Sequence, residues 1–201
     1  MKFLLKYIEK YHTRSDINEH LPVLEAYTRQ CESVVECGVR EPTSAYAFAF
    51  GLMGKAGNKY TLIDPYKSAL IEPFLEECTE IGVNASFIQS SDIECLPIET
   101  DLLFIDSWHV YGHLKRELAH WHASVRKYII FHDTTVDEID GETIRMGWDA
   151  NRQSLETGIP VEEIRRGLRP AIDEFLAEHP EWTSQLVLRN NNGLTVIQRV
   201  A

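Results

Sequence analysis

Short apolar segments recur along this chain, each closing on an acidic or polar residue, with helical periodicity between them, and this alternation restricts the fold more than any other feature. Residues 33–38, 60–64, 85–88, 101–106 and 128–133 read as strands, and residues 44–53, 68–80 and 114–125 read as the helices among them. Strands that are apolar throughout are buried on both faces, and alternation with helices makes that a parallel sheet covered on both sides. The last part of the chain departs from the pattern. Residues 161–178 read as one long amphipathic helix, and strands at 185–189 and 194–199 flank Asn190-Asn191-Asn192-Gly193, whose Asn-Gly step is a strong hairpin signal. The expected fold is α/β: a mostly parallel seven-stranded sheet with helices on both faces and a C-terminal antiparallel hairpin.

At 201 residues the chain is expected to form one domain over residues 1–201. Its N-terminal helices occupy residues 1–32, with Ser15-Asp16 capping a helix that ends near Gln30. Residues 134–160 hold Arg145, Trp148 and several acids with little periodicity, which suggests a lid or substrate loop. Thirty-one acids against 20 bases leave a net charge of −11, which disfavours nucleic acid, because phosphate binding relies on Lys and Arg. No stretch approaches the roughly 20 apolar residues of a membrane span, so no membrane partner is expected. The four cysteines form no C-x-x-C pair and read as reduced thiols, and the expected location is cytoplasmic.

In an open α/β sheet, ligands bind at the carboxyl ends of the strands. Five such ends carry acids: Glu36-Cys37-Gly38, Asp64, Ser90-Ser91-Asp92, Asp106-Ser107-Trp108-His109 and His132-Asp133. Acids brought together in this way are costly unless a cation, a diol or a metal shares them. S-adenosylmethionine offers a sulfonium, an ammonium and a ribose diol. The loop from Glu36 through Gly38 and Arg40 to Ser44 resembles the class I methyltransferase motif of an acid, one residue and a glycine, although Pro42 stands where a second glycine is usual. In this reading Glu36, Gly38, Arg40 and Ser44 serve the cofactor, with Gly38 letting backbone approach it. Asp64, 28 residues after Glu36, suits the ribose hydroxyls, and Ser91 and Asp92 suit the adenine amine. No G-x-G-x-x-G occurs, which argues against a dinucleotide.

Asp106, His132 and Asp133 stand at neighbouring strand ends as candidate ligands for Mg²⁺ or Mn²⁺, the imidazole favouring the latter. His109, three residues beyond Asp106, is a candidate general base. Trp108, Tyr111, Arg145 and Trp148 are candidate acceptor contacts, while Arg165, Arg166 and Arg169 sit among acids and read as a solvated helix face. His113, His120 and His122 read as surface or packing residues, His113 being the nearest to the site.

Four stretches carry a family resemblance: residues 34–40, residues 104–111, residues 129–134 and Asn191-Asn192-Gly193-Leu194. With them the chain, over residues 16–199, resembles the Rossmann-like class I O-methyltransferases of the macrolide-sugar and cephalosporin-pathway group. It also resembles the methyltransferase module of multidomain viral glycosyltransferases that decorate capsid glycans. The resemblance implies a seven-stranded methyltransferase fold, S-adenosylmethionine as donor, and a small-molecule or glycan acceptor methylated at a sugar hydroxyl, such as one of rhamnose. It implies Mg²⁺ held by acids at the positions of Asp106 and Asp133, a base at the position of His109, and work within a larger multidomain enzyme or a homo-oligomer. His132 stands where the family often has an acid. Two other readings fit the same residues: a non-haem iron oxygenase using His109, His132 and a carboxylate, and a noncatalytic module that binds an adenosyl ligand or a glycan.

Overall fold

The computed structural model describes residues 2–200; residue 1, part of the expected N-terminal helix, lies outside the described residues. All five residues of β1 (Ser33–Cys37) are buried, as a central parallel strand requires. The sheet runs in the order β3 (Ala85–Gln89), β2 (Lys59–Asp64), β1, β4 (Thr100–Ile105), β5 (Val125–His132), β7 (Leu194–Arg199) and β6 (Trp182–Leu188). Strands β1 to β5 pair in parallel, and β7 runs antiparallel to both of its neighbours, β5 and β6. The strand order reverses between β1 and β4, so the loops leaving these two strands part and open a crevice. This is the expected α/β architecture, a mostly parallel seven-stranded sheet with helices on both faces and the C-terminal hairpin in place.

Side-chain parity along β1 assigns each layer. Val34 packs with Leu24, Phe48, Tyr60, Phe74 and Phe104, on the face covered by α1 (Lys2–His12), α2 (Leu21–Thr28), α3 (Thr43–Leu52) and α4 (Ile71–Glu80). Val35 and Cys37 pack with Leu103, Trp121, Ile129, Ile172 and Phe175, on the face covered by α5 (Tyr111–Trp121) and α9 (Leu168–Glu178). Each large side chain so buried contributes about 2–3 kcal/mol. The four cysteines are buried and unpaired. Among the described residues, no helix is long and apolar enough to cross a membrane.

Three segments differ from the sequence reading. The helix expected to begin at Ser15 starts only at Leu21, after a short 3-10 turn at Asn18–His20 that the Ser15 hydroxyl caps by accepting the Asn18 N–H (3.0 Å). The expected helix over 161–178 is two helices, α8 (Val161–Arg165) and α9. Arg166 between them is extended and bridges Asp140, while a Cβ on Gly167 would lie 2.3 Å from the Asp137 carbonyl oxygen. Backbone pairing to the preceding segment therefore replaces a helical turn, and Pro170 then falls in the first turn of α9, where its missing N–H costs nothing. Residues 134–160 are folded: they form α6 (Glu142–Arg145) and α7 (Ala150–Thr157), the latter capped by the Asp149 side chain and closed by Gly158 at φ 72°. Ala150 and Ile159 anchor this segment against Val110 and Ile164, with Trp108 beside them.

Candidate active site

Gly38 fixes the geometry of the crevice. It takes φ 91°, in the region that favours glycine, and a Cβ there would meet the Asp106 carbonyl oxygen at 2.1 Å. The sequence reading gives Gly38 to the ligand; the structure gives it first to the backbone of the β4 exit, which crosses directly over it. The Asp106 N–H donates to the Cys37 carbonyl (2.8 Å) and completes the crossing.

Above it lies a cavity of about 750 Å³, within the range of small-molecule sites. Gly38, Arg40, Ser44, Asp64, Ser91, Asp92, Asp106, Trp108, His109, Asp133, Arg145 and Trp148 all line it. Asp64 accepts the Val39 N–H and the Tyr66 N–H, each at 2.7 Å, which holds its carboxylate at the rim beside the β1 loop. Arg40 is exposed and pairs with Asp16 (3.2 Å). Asp92 directs Oδ1 to the Ile93 N–H (2.8 Å) and the Ser91 hydroxyl (3.2 Å), and Oδ2 to His113 Nε2 (3.2 Å), so its carboxylate is engaged by protein.

Glu36 does not reach the cavity. Parity puts it on the face of Val34, where it is fully buried and takes hydrogen bonds from the Ser44 and Tyr60 hydroxyls. Burial pushes its carboxyl up to about 8, against the pull of those two donors, so it is a neutral core group at pH 7. Tyr111 is also absent from the lining. Because α5 begins at Tyr111 and not at 114, its ring turns toward α9, its hydroxyl donates to Glu174 (2.5 Å), and the Arg166 guanidinium lies 3.8 Å from the ring centre. Arg166 and Arg169 are likewise spent on Glu174 and Asp173.

His109 is the centre of a ring of carboxylates. Its Nε2 lies 3.3 Å from Asp106, and its Nδ1 lies 2.9 Å from Asp133, 3.3 Å from Asp137 and 3.9 Å from Glu142. Burial disfavours a charge on the imidazole, but Asp106, Asp133 and Asp137 outweigh it and raise its pKa well above the usual value. Asp133 sits at φ 57°, an uncommon conformation for a residue with a side chain. Asp137 is fully buried and is clamped by Arg145 through two bonds, of 2.6 and 2.9 Å.

His132 stands apart from this ring. Its Nε2 faces the carbonyls of Asp16 (3.1 Å) and Asn191 (3.3 Å), and its Nδ1 faces Asp106 Oδ1 (3.0 Å). Both nitrogens must donate, and although burial opposes the charge, Asp106 pushes the pKa up to about 9. In this arrangement His132 is a buried counter-charge to Asp106 and lies outside the group of donors that converge. The three donors that come together are Asp106, His109 and Asp133, one ligand atom from each lying within 4.8 Å of the others. An iron triad of His109, His132 and a carboxylate has no free second imidazole, and the sheet is doubly wound. Sequence reasoning missed Asp137 and Glu142, which lie in a segment without periodicity and reach His109 only through the chain's return.

No protein-family model matches the sequence. No curated protein matches it either. Solved structures do resemble its fold. The O-methyltransferase TomG from Streptomyces achromogenes, involved in tomaymycin synthesis and solved with SAM, superposes with a TM-score of 0.64 at 13% identity, over 100% of this chain and 91% of its own. An O-methyltransferase from Bacillus cereus, in complex with SAH, gives 0.63 at 14% identity over 99% and 91%. A putative O-methyltransferase from Klebsiella pneumoniae gives 0.58 at 17% identity over 99% and 90%.

Proposed function

We propose that this protein is an S-adenosylmethionine-dependent O-methyltransferase that methylates a hydroxyl of a small molecule, with a sugar as the acceptor class. One observation carries the reading: a single cavity is lined by Asp64, the candidate for a ribose diol, by His109 among its carboxylates, and by Trp108, Arg145 and Trp148. The likeness to O-methyltransferase structures supports it at the level of fold.

In this reading Asp64 accepts the ribose hydroxyls, and the loop from Gly38 to Ser44 carries the methionine portion of the donor. The acceptor oxygen attacks the methyl carbon, the carbon–sulfur bond breaks, and the acceptor's proton passes to His109. Holding the two reactants in line supplies much of the acceleration. Trp108 and Trp148 offer flat apolar faces to a sugar ring, and polar edges remain on Asp16, Glu142 and Asn192.

The residues also fit a divalent ion. His109 Nδ1 and Asp133 Oδ1 are buried without a satisfactory hydrogen-bond partner, and two carboxylates stand at one point. Asp106 and Asp133 would hold Mg²⁺ or Mn²⁺, which lowers the pKa of an acceptor hydroxyl and offsets the carboxylate charge when bound. With that charge offset, the carboxylates would hold a proton on His109 less firmly, and His109 would be able to accept the acceptor's proton.

The test is incubation with labelled methyl donor and a panel of deoxysugar glycosides, in Mg²⁺, Mn²⁺ or chelator. Label on a sugar hydroxyl is the expected result. Donor binding with no transfer to any acceptor would instead favour a noncatalytic binding module.

A further inference from the structure

At the end of the cavity lined by Ser91, a second group of metal-type donors is buried. Asp92 follows β3, while His113 and Glu117 stand one turn apart on the same face of α5. All three are buried, and one ligand atom from each lies within 4.8 Å of the others. His113 Nε2 is 3.2 Å from Asp92 Oδ2 and 3.9 Å from Glu117 Oε1. Bonds of about 2.0–2.2 Å to a zinc-like ion place neighbouring ligand atoms roughly 3–3.5 Å apart; the His113–Asp92 pair already has that spacing, and Glu117 at 3.9 Å needs a shift of a few tenths of an ångström to join it.

Hydrogen bonds from outside the group orient both carboxylates. Asp92 Oδ1 is held by the Ile93 N–H and the Ser91 hydroxyl, and Glu117 Oε1 by the Ser107 hydroxyl (2.7 Å). One oxygen of each carboxylate is thus oriented by an outer hydrogen bond, the arrangement that fixes metal ligands. Glu117 is 1% exposed, yet its Oε2 has no hydrogen-bond partner. Among the described residues, no Lys or Arg pairs with either acid. Two buried carboxyls with one imidazole beside them need either a shared proton or a bound cation to balance them.

We propose that Asp92, His113 and Glu117 form a structural site for a divalent transition-metal ion of the zinc type, which ties the loop after β3 to α5 beneath the cavity. One nitrogen and two oxygen donors suit a borderline ion. The site stands whether or not the cavity binds a methyl donor.

The test uses the full chain, stripped with chelator, reloaded with Zn²⁺ and desalted, with bound zinc counted by mass spectrometry. Because Asp106, His109 and Asp133 offer another set of donors, the count is made in an Asp133→Asn background as well as in the wild type. The expected result is one equivalent retained in Asp133→Asn and lost when His113→Gln or Glu117→Gln is added. Glutamine at 117 can keep the Ser107 hydroxyl and donate to Asp92, so the fold is expected to survive. As a check free of variants, zinc-loaded crystals of the wild type should show an anomalous peak among the three side chains. Zinc counts unchanged by either added substitution, or no peak at that position, would overturn the proposal, and a proton shared by Asp92 and Glu117 would then hold the pair.

Discussion

The backbone of Gly38 lies against that of Asp106 so closely that a single added carbon would sit 2.1 Å from the Asp106 carbonyl oxygen. The first loop of the cavity and the residue that faces His109 are therefore one mechanical unit. Gly38→Ala combines this clash with an unfavourable φ of 91° and is expected to cost about 2–4 kcal/mol in stability and to abolish donor binding. Urea unfolding and calorimetric titration with S-adenosylmethionine check both; a variant as stable as the wild type would contradict the contact.

His109→Ala is expected to reduce methyl transfer at least a hundredfold while donor affinity changes less than threefold. Single-turnover transfer and equilibrium binding measure the two separately. Full turnover by this variant at neutral pH would remove His109 from the mechanism.

Metal removal separates the two acids from the base. Chelator is expected to lower transfer at least tenfold, with recovery on adding Mg²⁺ or Mn²⁺, and no ion should restore Asp133→Asn. Undiminished transfer in chelator would leave the carboxylates without an ion to hold.

Glu36 makes stability depend on pH. Its carboxyl keeps a proton up to about pH 8 in the folded chain but loses it near 4.5 when unfolded. Between those values the folded state binds more protons than the unfolded state, so the contribution of this group to stability falls as pH rises and levels off above about 8. The loss approaches about 1.4 kcal/mol per pH unit midway between those values. Glu36→Gln, which keeps a neutral hydrogen-bonding group, is expected to match the wild type at pH 4.5 and to exceed its stability at pH 7.5. Urea midpoints at both values test this, and a constant difference would contradict it.

Arg145 clamps the buried Asp137 within the segment over 134–160, and Asp137 ties that segment to His109. Arg145→Ala leaves a buried carboxylate short of its cation and is expected to cost about 2 kcal/mol, to raise the acceptor KM more than it lowers kcat, and to speed proteolysis within that segment. The double variant with Asp137→Asn should recover part of the stability, a coupling that a cycle of unfolding measurements would read.

The mostly parallel sheet and its hairpin were legible because they depend on period and turn chemistry alone: apolar runs such as Leu102 to Ile105 and the Asn192-Gly193 step admit few alternatives. Which strand-end residue faces the ligand was not equally legible. Glu36 and Gly38 are two residues apart, yet parity buries the first among Tyr60 and Phe48 while the turn brings the second to the cavity. Tyr111 depended on where α5 begins, a boundary that no residue type marks. The break at Gly167 and Pro170 was written in the sequence as two poor helix formers, although the apolar period ran through both. Asp137 carried no local sign, because its partner His109 lies 28 residues earlier and meets it only across the folded segment.

Asn191 and Asn192 latch both walls of the crevice. The Asn191 side chain accepts the Glu19 N–H and donates to the Ser15 carbonyl, while the Asn192 carbonyl accepts the N–H groups of Thr135 and Val136. During synthesis, Gly38, Asp64 and Asp106 emerge well before these asparagines, and domains commonly begin to fold from the N-terminal side. A nascent chain halted before residue 190 would therefore display its acidic loops without the turn that closes them or the strand that pairs with β5. Ligand capture by such a ribosome-bound chain should be undetectable, and it should appear as the final hairpin clears the exit tunnel.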